Sequence, residues 1–241
     1  MSYIENPKTK GSGILCCIPQ TGTCPNECED CFFQSGRSYL EPLEDNLPNI
    51  PQNNRQFNVI RVNDGNDSNI GRNKVFKETS RFPMKFFNTS IPELDAFDDP
   101  VVLTINPSKM TDKSFHRIWA KNLMFVRFRA NLWNLDLAKI AVQYYADREV
   151  PIIMTFMAYF KDAVRASHIS WYVYKKRTLN SYWVITTSAW RKFMATWEGS
   201  PWEKWVYTCG KIEGELGAHA CRHCGNCLRE YFATMERLIG D

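Results

Sequence analysis

The sequence predicts an α/β fold: a partial (β/α)6 TIM-like barrel followed by a small cysteine-rich C-terminal extension. Three observations point there. Apolar, strand-like runs alternate with helix-like patterns through the first 160 residues, as parallel βαβ units do. Polar residues recur on one face of several of those strands. Cysteines gather in two places, just after the first strand and near the C-terminus. The barrel core is expected over residues 1–160 and the extension over 161–241.

Six strands are expected, near residues 13–19, 57–63, 84–89, 101–106, 123–130 and 150–157. Each is a short apolar run bounded by turn-forming residues. Pro151 is tolerable because it stands at the start of its strand. Between the strands, 40–56 reads as a surface loop rich in Pro, Asn, Glu and Asp. Residues 69–81 read as a helix, and a short helical piece is expected from Pro92. Another helix is expected over 111–121, where Thr111 can cap and Asp112 suits the first turn. Residues 135–148 follow, with Leu137, Ile140, Ala141 and Tyr144 on one stripe. After Phe160 the pattern loosens. Ser188 is expected to cap a helix over 189–197, and Trp205-Val206-Tyr207 is strand-like. Residues 228–239 read as a short amphipathic helix carrying Leu228, Tyr231, Phe232 and Met235. There is no internal repeat, and the best candidate boundary is Gly199-Ser200-Pro201.

The polar residues separate a barrel from a flat doubly wound sheet. By the period-two rule Arg127, Arg129 and Asn131 share a face, as do Arg61 with Asn63, Thr104 with Asn106, and Thr155 with Met157. Strands covered by helices on both sides should be almost wholly apolar. Charge on one face of several parallel strands suggests a lumen holding a polar ligand. The alternative places the arginines on edge strands facing water.

Bulk properties bound the rest. The chain has 241 residues, 44% hydrophobic and 23% charged, enough for one sizeable domain plus an appendage. No apolar run approaches the roughly 20 residues of a membrane span. The polar N-terminus lacks the apolar core of a signal peptide, so cytoplasmic residence without membrane association is expected. Nine cysteines in such a chain favour metal or redox chemistry over disulfides. A net charge of +4 permits an anionic partner without demanding one. Five of the eight tryptophans lie between Trp183 and Trp205, as a packed core or one wall of a substrate site.

Cys24, Cys28 and Cys31 form C-x3-C-x2-C immediately after the first strand. Three thiolates in one tight loop make a poor four-ligand cage and suit an iron–sulfur cluster with one open iron. A zinc site completed by Cys16, Cys17 or a histidine is the alternative, as is an incidental cluster. Cys16 and Cys17 lie within an apolar strand and read as buried packing residues.

That spacing, placed after the first strand of a βα-repeat chain, resembles the radical S-adenosylmethionine enzymes over residues 12–160. The resemblance implies a 4Fe–4S cluster on Cys24, Cys28 and Cys31, whose fourth iron chelates S-adenosylmethionine. The cofactor is then cleaved by one electron to methionine and a 5′-deoxyadenosyl radical, which abstracts a hydrogen atom from the substrate. It also implies an electron donor such as flavodoxin or ferredoxin. The family often has an aromatic residue just before the third cysteine; here Asp30 stands there, and Phe32 or Phe33 would meet the adenine instead. The segment Asn63-Asp64-Gly65-Asn66-Asp67-Ser68-Asn69 occupies the place of the family's Gly-rich turn after the second strand. Its carbonyl and carboxylate oxygens suit the methionyl ammonium, although any βα loop favours such residues. Arg127 or Arg129 would pair with the methionyl carboxylate and Asn131 with a ribose hydroxyl. Asn106 and Ser108 are further candidates at a strand's C-terminal end, where βα-barrels place their sites. Each has a structural alternative as an ordinary hydrogen-bonding residue. Cys16, Cys17, Tyr159 and Tyr207 are weak candidates for a hydrogen-atom donor.

Cys209, Cys221, Cys224 and Cys227 form C-x11-C-x2-C-x2-C. Four thiolates can close a zinc site or saturate a second 4Fe–4S cluster, with His219 or His223 as substitutes. The segment is similar to a reduced version of the auxiliary-cluster extensions of that family. The substrate is not identified: peptide, nucleotide and small metabolite all fit, with 161–205 as the expected contact region. The competing class is a non-enzymatic zinc protein that binds nucleic acid, through Lys175-Lys176-Arg177 beside Trp171, Tyr172 and Tyr174.

Overall fold

A computed structural model describes residues 2–26, 28, 31, 33, 38–52, 58–107, 117–160, 163–178, 181–214 and 221–240. Its elements run β1 (Ile14–Cys17), α1 (Leu43–Asn46), β2 (Val59–Val62), α2 (Arg72–Thr79), β3 (Lys85–Thr89), β4 (Val101–Ile105), β5 (Leu123–Ala130), α3 (Leu135–Ala146), β6 (Ile152–Phe156), β7 (Tyr172–Lys175), β8 (Tyr182–Ile185), α4 (Thr187–Met194), β9 (Val206–Gly210), α5 (Cys221–Cys224) and α6 (Asn226–Ile239). Seven strands form one sheet in the order β1-β2-β3-β4-β5-β6-β9, and the described registers are all parallel. The fold is mixed α/β and compatible with the expected partial barrel. The six expected strands are its first six, each within two residues of its expected bounds. Among the described residues no helix is long and apolar enough to cross a membrane.

The chain divides into two compact units, the first Met1–Thr104, Ile118–Phe125 and Ala220–Asp241, the second Ile105–Arg117 and Val126–His219. In the first unit, Cys16, Arg61 and Phe86 stand in one row across β1, β2 and β3. Their neighbour Phe87 points to the opposite face. There α2 covers the sheet, with the Phe76 ring 5.5 Å from both Phe87 and Phe97. On the Phe86 side lies α6, whose Tyr231 ring is 6.3 Å from that of Phe86. A Cβ on Gly13 would stand 3.4 Å from a Leu228 methyl, so α6 runs close along β1 as well. Its buried positions are Asn226, Glu230, Tyr231 and Thr234. Phe232, expected on the apolar stripe, is one residue (about 100°) out of phase with them and is 51% exposed.

Two expected helices differ. The segment from Pro92 is a run of turns. Asn69 Nδ2 and Thr89 Oγ1 donate to the carbonyls of Ile91 and Glu93, and Asn122 Nδ2 donates to those of Leu94 and Phe97. Side chains that take the carbonyls compete with a helical ladder. Residues 117–120 are not helical either, while Thr111 and Asp112 lie outside the described residues.

In the second unit β5, β6 and β9 align Arg129, Thr155 and Cys209 in one row. Val126, Phe128 and Ala130 are buried, whereas Arg127 and Arg129 between them are partly exposed, the alternation the sequence shows. The Trp205–Tyr207 strand joins the sheet as part of β9. The antiparallel hairpin β7–β8 was not expected, because aromatics occupy both of its faces and obscure the period of two. The α4 helix starts earlier than expected. Its cap is Thr186, whose Oγ1 accepts from the Ala189 N–H, and not Ser188. On the sheet side of α4, Trp190 Nε1 donates to Thr208 Oγ1 and Phe193 meets Phe156 edge-on.

Candidate metal centre and the loops around it

The loop after β1 places three partly buried thiols, Cys24, Cys28 and Cys31, in the first unit. The Cys31 N–H donates to the Cys28 carbonyl at 3.1 Å, closing a turn between them. Burial pushes the Cys24 thiol up to about 11. The Asn26 backbone pulls it down, while Asp67, Cys28 and Cys31 add to the rise. The three sulfurs are not drawn to a point: among the described residues no three His, Cys, Asp or Glu side chains are gathered closely enough to hold a metal ion. Metal binding supplies the attraction that closes such sites. The donor set itself, three thiols on one loop, fits a three-thiolate cluster.

Asp67 ties this loop to the next two. Its Oδ2 accepts from Asn26 Nδ2 at 3.0 Å, from the Ser90 N–H at 2.7 Å and from Ser90 Oγ at 2.8 Å. Its Oδ1 accepts from the Asn69 N–H and from Thr89 Oγ1. The loops that follow β1, β2 and β3 thus share one buried carboxylate. Asp67 falls within the turn expected over 63–69, but sequence reasoning missed its tie between loops, because Asn26, Thr89 and Ser90 are distant in sequence.

Asn63 and Asp64 open the loop after β2. Asn63 has φ 62°, a left-handed conformation that Asn tolerates. Its N–H donates to the Cys17 carbonyl and its Nδ2 to Ser68 Oγ. Asp64 Oδ2 accepts from Asn6 Nδ2 at 2.7 Å and from the Tyr39 hydroxyl at 3.4 Å. The other oxygens, Asn63 Oδ1 and Asp64 Oδ1, are buried with no hydrogen-bond partner among the described residues, and so is Gln20 Oε1. A buried polar group left without a partner costs about 1–3 kcal/mol, and these acceptors suit a ligand that donates. Gly65 has no room for a side chain: a Cβ would fall 2.0 Å from the Phe33 ring. Asn66 Nδ2 donates to the Gly22 carbonyl, joining the same two loops.

Arg61 extends this chemistry toward the C-terminal thiols. Burial alone would lower its guanidinium, but the negative charges of Cys16, Asp64, Cys227 and Cys221 outweigh it and raise it. Its Nε is buried without a hydrogen-bond partner among the described residues. The Cys221 N–H donates to the Lys8 carbonyl at 2.9 Å, and Gly225, at φ 66°, turns the chain from α5 into α6. Cys221, Cys224 and Cys227 therefore belong to the first unit, whereas Cys209 lies on β9 in the second. His223 is exposed.

The remaining expected site residues lie in the second unit. Arg127 and Arg129 are partly exposed on β5, and Asn106 is buried just past β4. Asn131 is engaged in its own turn: its Oδ1 accepts from the Trp133 N–H and its N–H donates to Asn134 Oδ1. Phe32, Ser108 and His219 lie outside the described residues. No protein-family model, no curated protein and no solved structure matches the chain.

Proposed function

We propose that this chain is a radical S-adenosylmethionine enzyme, with a 4Fe–4S cluster on Cys24, Cys28 and Cys31 and a second metal centre that draws on the C-terminal cysteines. One observation carries the reading: the three-thiol loop that follows β1 is tied through Asn26 to Asp67 and Ser90, and the loop that holds Asp67 opens with Asn63 and Asp64, whose buried Oδ1 atoms find no donor among the described residues. When bound, the cluster supplies the electron that reductively cleaves the sulfonium of S-adenosylmethionine, a reaction side chains alone do not perform.

The protein's residues do the rest. Asn63 and Asp64 offer Oδ1 atoms to an ammonium, which would satisfy two buried acceptors at once. Asp67 fixes the three loops so that the thiols keep one position relative to those oxygens. Phe33, pressed against Gly65, keeps water from that side of the loop. The test is reductive cleavage. Anaerobically reconstituted protein, reduced with dithionite and given S-adenosylmethionine, is expected to release 5′-deoxyadenosine. The C24A/C28A/C31A variant is expected to release none. A wild-type protein that is colourless, holds zinc and leaves the cofactor intact would overturn the proposal in favour of a zinc-binding module.

A further inference from the structure

The second unit carries a charge pattern that this function does not use. Residues 163–197 contain six basic residues, Arg165, Lys175, Lys176, Arg177, Arg191 and Lys192, and no Asp or Glu. The whole chain is only +4, so the remainder is net acidic. The basic charge is thus concentrated on one segment, built around the β7–β8 hairpin. That hairpin is firmly held: Tyr159 and Trp183 exchange both backbone hydrogen bonds, and the Glu213 N–H donates to the Ile185 carbonyl.

Aromatic faces stand among these cations. Tyr174 is 49% exposed and Trp171 37% exposed. Tyr174 pairs in register with Trp183, their ring centroids 5.0 Å apart. Lys192 Nζ sits 5.2 Å from the Trp171 ring. The guanidinium of Arg177 and Nζ of Lys211 approach the Tyr182 ring at 4.9 and 5.8 Å. Among the described residues none of Lys175, Lys176, Arg177, Lys192 and Lys211 forms an ion pair. Lys211 is pushed down by burial and by the like charge of Arg177, so two cations crowd one ring.

We propose that the β7–β8 hairpin is a docking surface for single-stranded nucleic acid. Unpaired cations meet the phosphates, and exposed rings beside them offer faces on which unpaired bases stack. An acidic peptide would use the charge but not the rings. A duplex keeps its bases stacked on one another, out of the rings' reach. The surface goes beyond the proposed cofactor chemistry and needs no metal.

The experiment is fluorescence anisotropy of the full chain with labelled single-stranded RNA and DNA of about 12 nucleotides, within the usual site size. Both are expected to bind, more weakly as salt rises, with the difference between them showing whether a 2′-hydroxyl is read. W171A/Y174A is expected to weaken binding about tenfold or more while leaving the salt dependence alone. K175E/K176E/R177E is expected to flatten the slope of log affinity against log salt by about 2, for three phosphates lost. Unchanged circular dichroism of both variants excludes misfolding as the cause. Absence of binding at low salt overturns the proposal. So does equal affinity of wild type and W171A/Y174A for oligonucleotide, heparin and polyglutamate, which would mark a bare polyanion surface. Either failure leaves the cysteine-loop proposal standing, since every substituted residue lies in the second unit.

Discussion

Five donors converge on the two oxygens of Asp67, from the loops after β1, β2 and β3. Asp67→Ala leaves the buried Thr89 hydroxyl and four partly buried donors without their acceptor, so unfolding in urea is expected to show a loss of about 2 kcal/mol. An unchanged midpoint would mean the loops are held by other contacts. Gly65→Ala drives a methyl group into the Phe33 ring and is expected to cost about 1–3 kcal/mol. Cys16 and Cys17 set the alkaline limit. Burial raises both thiols, and the Asp64 charge raises them further. The unfolded chain releases these protons near pH 8.5 while the folded chain keeps them. Stability is therefore expected to hold below that pH and to fall as pH rises above it, by the linkage of proton binding to folding. The urea midpoint measured from pH 7 to 10 shows the decline, and C16A/C17A is expected to flatten it. Asn63 and Asp64 were legible as acceptors in a turn-forming run. The tie that Asp67 makes between loops was not, because four of its five donors, on Asn26, Thr89 and Ser90, sit some 20 to 40 positions away.

At the level of elements, the strands were legible and the exceptions have physical causes. Each of the first six strands is a compact apolar run with turn residues at its ends, and its alternation survives in the burial of β5. The hairpin was not legible, since Tyr172, Tyr174, Tyr182 and Trp183 put rings on both faces. The Pro92 segment failed as a helix because the remote Asn69 and Asn122, with the adjacent Thr89, take its carbonyls. The start of α4 gives a direct test. Thr186→Ala removes the hydrogen bond to the Ala189 N–H and is expected to cost about 1 kcal/mol in urea unfolding. Ser188→Ala, an exposed change at the second residue of α4, is expected to stay within about 0.5 kcal/mol. The reverse order would place the cap where the sequence alone put it.

Across the whole molecule, the order of the parallel sheet gives each cysteine set its place. The first trio follows β1 on the loop that Asp67 ties to its neighbours. Cys221, Cys224 and Cys227 come from the end of the chain to the unit that holds β1, near Arg61, while Cys209 stays on β9. Of the set C-x11-C-x2-C-x2-C, Cys221, Cys224 and Cys227 fall in the first unit and Cys209 in the second. Charge is divided as well, basic on the β7–β8 segment and net acidic elsewhere. The central claim is that Cys24, Cys28 and Cys31 hold an iron–sulfur cluster, and anaerobic quantification of iron and acid-labile sulfide in wild type and C24A/C28A/C31A tests it most directly. The account expects the triple variant to lose about four irons and four sulfides per chain and to keep whatever metal the C-terminal cysteines bind. Equal iron in both proteins, or zinc in place of iron in the wild type, would contradict it.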